Sequence, residues 1–505
     1  MTDKLQDKDQ EFGREPAAMS VRGAAVWAMA AQYLSFAVQF GTSVIISRFF
    51  LTPAEVGLFS IAMAAALVVS VLQDFGLARY ISGLPVIDSH EVERCGSVAI
   101  LFALAIAGTL ASASIPLGHF YKMAALAPVL QVIAVSYLFA PLSIVPLALM
   151  ARAMQFRGHF VVNLSGAIAQ GAVALGLAAS GSSSFALAWA TVASTLARGI
   201  TAQILRPTLP RRLRLDGVSG VLGFGARSTL LYLSGALGTR TPDLIVGKAL
   251  GAFAVGLFSR AASLSDQFRM LISGAIGSVF YPAFARIRDR GDSLGPAYLR
   301  VCAGYSGVVW PGMAGLALGS EPLIRALYGP AWAATAMPLT MIALTEILLV
   351  ALPLHIDLPI LAGKLNPLLA RNLVDTAMSI GLLAIGCHWG IAGAAASRLV
   401  YGLAWLLLYF GFMRRIIGFD VNALFVIYLR SAATTVAALA PLALGYVLWL
   451  PPSQMTFFGL ALCSVAGAFT WLGALALVRH PALQEIIAIA SHVPLLARLT
   501  ARIRS

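Results

Sequence analysis

Apolar residues dominate this chain in blocks of about 20, a length that lets a helix cross the hydrocarbon core of a bilayer. The pattern predicts fourteen such helices, at residues 23–47, 54–74, 96–116, 126–149, 160–179, 185–205, 219–240, 253–279, 301–320, 334–358, 368–387, 391–412, 427–449 and 457–478. No block is followed by a polar stretch long enough for a soluble domain. Composition agrees: 59% of the 505 residues are hydrophobic and 11% are charged, against about 25% charged in soluble domains. The expected fold class is an all-α polytopic membrane protein.

The chain also repeats itself. "VGLFSIA" at 56–62 returns as "VGLFSRA" at 255–261. "LQVIAV" at 130–135 and "ALGLAASG" at 174–181 are answered, in the same order, by "LTMIAL" at 339–344 and "SIGLLAIG" at 379–386. Ordered matches of this kind indicate a duplicated six-helix unit. The organisation expected is a cytoplasmic tail at 1–22, a first lobe at 23–206, a cytoplasmic linker at 207–218, a second lobe at 219–413, two appended helices at 414–478 and a basic, amphipathic cytoplasmic tail at 479–505. Six is even, so the two lobes share one orientation and are related by an axis along the membrane normal. Lobe pairs of this kind enclose a cavity that opens alternately to either side.

The formal net charge is +14, and its distribution explains it. Most basic residues, among them Arg94, Arg152, Arg198, Arg211, Arg212, Arg286, Arg288, Arg371, Arg414 and Arg415, fall on the side of the N-terminus. The opposite side keeps little more than Arg48, Lys122, Lys248 and Arg325. This asymmetry places both termini in the cytoplasm. The excess charge is thus an orientation signal with anionic lipid headgroups as partners, and no nucleic acid is expected.

Charge inside the apolar blocks is a different matter, because an arginine at a helix centre costs roughly 2.5–3.5 kcal/mol on insertion scales and normally faces protein or water. Arg227, Arg260 and Arg398 have no acid three or four positions away on their own helices, which makes them the first candidates for an anion-binding lumen. Arg240 with Asp243, and Asp266 with Arg269, are spaced for an internal ion pair. Arg48 is a further candidate cation, with snorkelling to the outer surface as its competing explanation. Glu346, Asp375, Asp74 and Asp243 are candidate coupling or charge-pairing acids. The first helix has no acid between Arg22 and Arg48. His355 beside Asp357 reads as an interfacial polar pair. The four cysteines and seven histidines show neither disulfide nor metal-ligand spacing. "DFG" at 74–76 stands without the rest of a kinase signature, and no triad is apparent. An enzyme is not expected, nor is a metal or cofactor.

The stretches "LTPAEVGLFSIAMAAALVVSVLQDFGLARYI" (51–81), "TPDLIVGKALGAFAVGLFSRAASL" (241–264) and "LYGPAWAATAMPLTMIAL" (327–344) resemble the Wzx-type polysaccharide transporters, lipid-linked oligosaccharide flippases of the multidrug, oligolipid and polysaccharide exporter superfamily. The resemblance spans nearly residues 20–415. It implies a bacterial inner-membrane protein that moves undecaprenyl-pyrophosphate-linked oligosaccharide repeats by alternating access, for exopolysaccharide, capsule or O-antigen. The substrate would be the lipid-linked oligosaccharide, and polymerase and export proteins would be partners. A cation-coupled multidrug exporter of the same fold is the main alternative, disfavoured by the acid-free first helix. A non-transporting scaffold of a glycan assembly complex is the other.

Overall fold

A computed structural model describes residues 21–70, 77, 80–81, 87–210, 214 and 218–483; side chains at 21–26, 28–31, 218–240, 272–279 and 281–282 are outside that description. The predicted terminal tails therefore lie almost wholly outside the described residues. Those described form helices and turns, with no strand among them.

The chain divides into two compact units, residues 1–256 and 257–505. The first holds α1 (Val21–Phe49), α2 (Pro53–Ser70), α3 (Ser89–Tyr121), α4 (Leu126–Phe139), α5 (Pro141–Arg152), α6 (Phe156–Ala179), α7 (Ser184–Leu205) and the first part of α8 (Val218–Asp289). The second holds the rest of α8, then α9 (Gly295–Leu318), α10 (Ser320–Tyr328), α11 (Ala336–Leu349), α12 (Asp357–Leu361), α13 (Leu365–Gly386), α14 (Gly390–Ile417), α15 (Val421–Leu448) and α16 (Phe457–Leu477).

Local chemistry sets several boundaries. The Thr52 N–H and hydroxyl both donate to the Glu55 carboxylate at 2.8 Å. With Pro53 at the first helical position, the Glu55 carboxylate closes the start of α2 by accepting both bonds from Thr52. Ser183 donates to the other Glu55 oxygen at 2.6 Å, tying the α6–α7 turn to the same end. Pro141 begins α5 after α4, and the two are bent by 46°. Gly251, at φ 85° and ψ 176°, interrupts α8 in a conformation that a side chain would strain.

The same pairs of elements pack in each unit. In the first, α3 packs on α4, α4 on α7 and α6 on α7; in the second, α9 packs on α11, α11 on α14 and α13 on α14. The sequence matches fall at corresponding places, since 130–135 lies in α4 and 339–344 in α11, two helices of 14 residues each. Their contents are apolar. The first unit buries Leu77, Ile81, Val92, Val98, Val145 and Leu149 together, and the second buries Phe284, Tyr298, Val301, Leu358, Met413 and Leu424.

Nine helices among the described residues, or ten with α4 and α5 counted as one bent span, are long and apolar enough to cross a membrane. The expected count of fourteen is not reached on that measure. One reason is that residues 365–417 count as a single stretch, although the 3-10 turn Cys387–Trp389 and Gly390 at φ 71° separate α13 from α14. The tenth predicted helix is also shorter than the pattern suggested. It ends at Leu349, where Pro353 has no N–H with which to continue the ladder and Leu354 turns left-handed at φ 57°.

Candidate functional site

Ionisable side chains from four helices of the second unit form one network. On α8, Arg269 Nη2 lies 3.3 Å from Asp266 Oδ1, the internal pair that the spacing suggested. Arg269 also reaches across to α11, where its Nε stands 3.1 Å from Glu346 Oε2. Glu346 is in the last turn of α11 rather than at mid-helix, because α11 stops at Leu349. On α14, Arg398 Nη1 donates to Ser379 Oγ of α13 at 2.9 Å, and its guanidinium lies 4.6 Å from the centroid of Tyr401. Asp375 of α13 lies near Tyr401 and Arg398, and its Oδ1 is buried without a hydrogen-bond partner. Charge attraction extends from Arg398 to both Glu346 and Asp375.

One edge of this network is exposed. The Asp266 side chain is 61% exposed and Arg269 38%, while Glu346 is 14% exposed. Asp266 lies within the apolar stretch Thr241–Leu271, which is long enough to span a membrane. A carboxylate exposed at that depth requires water or a polar ligand rather than hydrocarbon. Three acids and two arginines meet there, so any anion that enters competes with carboxylates for the guanidinium forks.

Arg260 sits elsewhere in the same unit. Its guanidinium lies 5.4 Å from the Tyr328 centroid and 5.5 Å from that of Trp332, rings that are 2% and 0% exposed. The aromatic pair is presented by a tight turn at Gly329, whose φ of 89° suits glycine, followed by the 3-10 segment Pro330–Thr335. Two of the segments that carry the family resemblance, 241–264 and 327–344, meet through this arginine. The two ring centroids are 5.9 Å apart, so the guanidinium lies to one side of an adjoining aromatic pair, within cation–π reach of both.

The remaining candidates are scattered. Arg48 is exposed at the end of α1, 5.7 Å from the Phe49 centroid. Asp243 is half-buried on the first part of α8. Arg227 and Arg240 lie on the same helix with side chains outside the described residues, as is Asp74 altogether. Arg269, Ser379 and Tyr401 belong to the network but not to the residues singled out as candidate lumen groups. Tyr401 could have been found from its i, i+3 spacing to Arg398, whereas the Arg269–Glu346 pair joins residues 77 positions apart and leaves no local signal.

His355 occupies the turn after α11, edge-on to Trp405 at 4.8 Å and Tyr409 at 5.2 Å. Burial among these rings lowers its pKa to about 4, so it is neutral at physiological pH. It sits as a packed aromatic. A separate apolar cavity of about 380 Å³ opens among Val308, Leu316, Leu323, Leu442, Leu460 and Trp471 on α9, α10, α15 and α16.

The described residues thus form an all-helical fold in which both units repeat the same helix pairings, with helices long and apolar enough to cross a membrane and a charged network in the second unit. The chain belongs to the polysaccharide biosynthesis protein family, whose model matches residues 45–337, more than half of its length. Among curated proteins it is 22% identical over 287 residues to the lipopolysaccharide biosynthesis protein WzxC of Escherichia coli (strain K12), covering 55% of this chain and 57% of that protein. It is 25% identical over 134 residues to the teichuronic acid biosynthesis protein TuaB of Bacillus subtilis (strain 168), covering 26% of this chain and 28% of the relative. The chain thus spans just over half, or less, of the curated relatives it matches. Among solved structures, the lipid II flippase MurJ in an inward closed conformation aligns over 90% of this chain and 98% of its own, at a TM-score of 0.71 and 13% identity. That likeness is one of fold.

Proposed function

We propose that this protein moves a polyprenyl-diphosphate-linked oligosaccharide from the cytoplasmic to the outer leaflet of a bacterial inner membrane, by alternating access between six-helix lobes at 23–206 and 219–413. Family membership and the flippase fold support the class of cargo. The observation that carries the reading is the network on the second unit, whose Asp266 carboxylate is 61% exposed within a membrane-long apolar helix stretch.

The chemistry follows from charge competition. Arg269 is held between Asp266 and Glu346, and Arg398 between Ser379, Tyr401 and the nearby acids. A diphosphate offers oxygens that match the guanidinium fork better than a single carboxylate does. It would displace Glu346 from Arg269 on entry and restore the pair on leaving, keeping the arginines compensated in both states. Arg260, with Tyr328 and Trp332, fixes the 328–335 segment against α8. The apolar cavity beside α15 and α16 gives the prenyl chain a slot apart from the headgroup. No covalent bond is made or broken, so direction comes from an ion gradient or from removal of the product by polymerase and export proteins. The basic residues on the N-terminal side set both termini in the cytoplasm.

Complementation tests this reading. In a strain whose glycan export depends on the protein, Arg269→Gln and Arg398→Gln at normal membrane abundance are expected to reduce export at least tenfold. Unchanged export in both variants would remove the network from the mechanism.

A further inference from the structure

The first unit carries a second cation with a different environment. Arg198 lies on α7, seven residues before its end, or about 10 Å along the axis. Its stem crosses α6 at Gly166, where an added Cβ would stand 2.3 Å from Arg198 Cγ and 2.6 Å from Cδ. A side chain at 166 would therefore evict the arginine. The Arg198 Nε is buried without a hydrogen-bond partner, and none of the ion pairs among the described residues includes Arg198.

Its surroundings are polar in a pattern. On α6, His159, Asn163 and Gln170 fall four and seven residues apart, on one face, and on α7, Thr191, Thr195 and Arg198 do the same at spacings of four and three. All six are half-buried. The Thr191 and Thr195 hydroxyls donate to carbonyls of their own helix at 3.0 Å, which leaves their oxygens able to accept. His159 Nε2 is satisfied by the Leu147 carbonyl at 2.9 Å. Asn163 and Gln170 make no hydrogen bond among the described residues, and their amide atoms are not sealed in the interior. Two amides without a partner among the described residues and a guanidinium whose buried Nε has none, on packed helices of 24 and 22 residues, favour a wet or polar occupant.

We infer that this α6–α7 face is an oxyanion-and-hydroxyl subsite, in which Arg198 takes a carboxylate or phosphate group of the cargo's headgroup while Asn163 and Gln170 take neighbouring sugar hydroxyls. The inference rests on the proposed cargo class and adds a specificity-determining residue in the first unit. A guanidinium fork suits an oxyanion, and primary amides both donate to and accept from sugar hydroxyls. The anion has two sources, an acidic sugar or the lipid diphosphate, and the probes below separate them.

The experiment is calorimetric titration of the purified full chain in nanodiscs with tetragalacturonate, farnesyl diphosphate and neutral maltotetraose. The wild type should bind one of the two anionic probes at least tenfold more tightly than maltotetraose. Tetragalacturonate assigns the subsite to an acidic sugar, and farnesyl diphosphate assigns it to the linker. Measured in an Arg269→Gln, Arg398→Gln background, which silences the second-unit network, Arg198→Gln should abolish that preference, and Arg198→Lys, which keeps the charge and stem, should retain part of it. The combined variant Asn163→Ala and Gln170→Ala should weaken binding of the preferred probe several-fold while leaving the anionic preference, and it serves if Arg198→Gln does not fold. In that background, equal binding of all three probes, or an anionic preference that survives Arg198→Gln, would overturn the inference. So would double-alanine binding identical to wild type. Flipping assays on the same proteins in proteoliposomes separate the two claims: flipping without charge preference removes only the subsite, whereas charge preference without flipping removes only the transport reading.

Discussion

The duplicated string packs on itself, and this yields a sharp prediction. Within the first unit, a Cβ added at Gly57 would lie 1.8 Å from the Ala252 carbonyl oxygen and 2.7 Å from the Gly256 nitrogen. A Cβ added at Gly256 would lie 1.8 Å from the Pro53 carbonyl oxygen. The clashing atoms are backbone, so no side chain can swing aside. Ordinary carbon–oxygen contact is about 3.3–3.6 Å, and so Gly57→Ala must part the two segments by roughly 1.5 Å. A gap of half to one ångström already forfeits a quarter to a half of a dispersion contact, and overpacking costs typically 1–3 kcal/mol. We expect Gly57→Ala to destabilise by about 3 kcal/mol, lowering the melting temperature by on the order of 3 °C. Gly256→Ala should do the same. The double variant should cost clearly less than the sum, since the segments are already parted. Gly176, inside α6 with nothing within 4 Å of an added Cβ, is the control: Gly176→Ala should be neutral or stabilising by about 0.5 kcal/mol. Thermal melting of detergent-purified protein, followed by tryptophan fluorescence, reads all four. Wild-type melting of Gly57→Ala, or strict additivity in the double variant, would refute a shared close contact.

Other predictions concern single side chains. His355 has a folded pKa of about 4, below the ordinary 6.5, so the unfolded chain takes a proton first as pH falls. Its contribution is complete above pH 6.5 and drains away between 6.5 and 4, at up to about 1.4 kcal/mol per pH unit. His355→Phe should flatten that part of the stability–pH curve, and an unchanged slope would show that other groups set it. Arg260→Gln should cost about 1–2 kcal/mol through the lost ring contacts and change the near-ultraviolet circular dichroism of Trp332; an unaltered spectrum would mean that the cation–ring contact is not made. Glu346→Gln keeps the shape and removes the charge beside Arg269, so transport should lose its dependence on an imposed proton gradient. Equal gradient sensitivity in both proteins would exclude Glu346 as the coupling acid.

Much of the fold was readable from the chain because its signals are periodic and long. Apolar blocks mark the chain as all-helical, though not its number of spans, and the recurring VGLFS falls in α2 and α8. What the string could not reveal is that its two copies touch at Gly57 and Gly256, because helix–helix contact depends on three-dimensional crossing rather than spacing. The charged network was half visible for the same reason. Asp266 with Arg269 is a local i, i+3 pair, while Glu346 and Asp375 join it only through packing of α8, α11, α13 and α14. Pro353 marked the early end of α11, and reading it would have moved Glu346 from mid-helix to the last turn. Arg260 stood out as an isolated charge, yet its aromatic neighbours lie 68 and 72 positions away and became partners through the Gly329 turn. Arg198 looked like an ordinary orientation charge, and only Gly166, on the neighbouring helix, distinguishes it.

The most direct measurement is leaflet exchange by purified protein. Proteoliposomes carrying a fluorescent polyprenyl-diphosphate oligosaccharide, quenched from outside by a membrane-impermeant reductant, report how fast the headgroup crosses. The account predicts rapid loss of the protected fraction with wild-type protein, at least tenfold slower loss with Arg269→Gln or Arg398→Gln, and no exchange of a polyprenyl oligosaccharide lacking the diphosphate. Exchange no faster than in protein-free liposomes, or equally fast with both arginine variants, would contradict it.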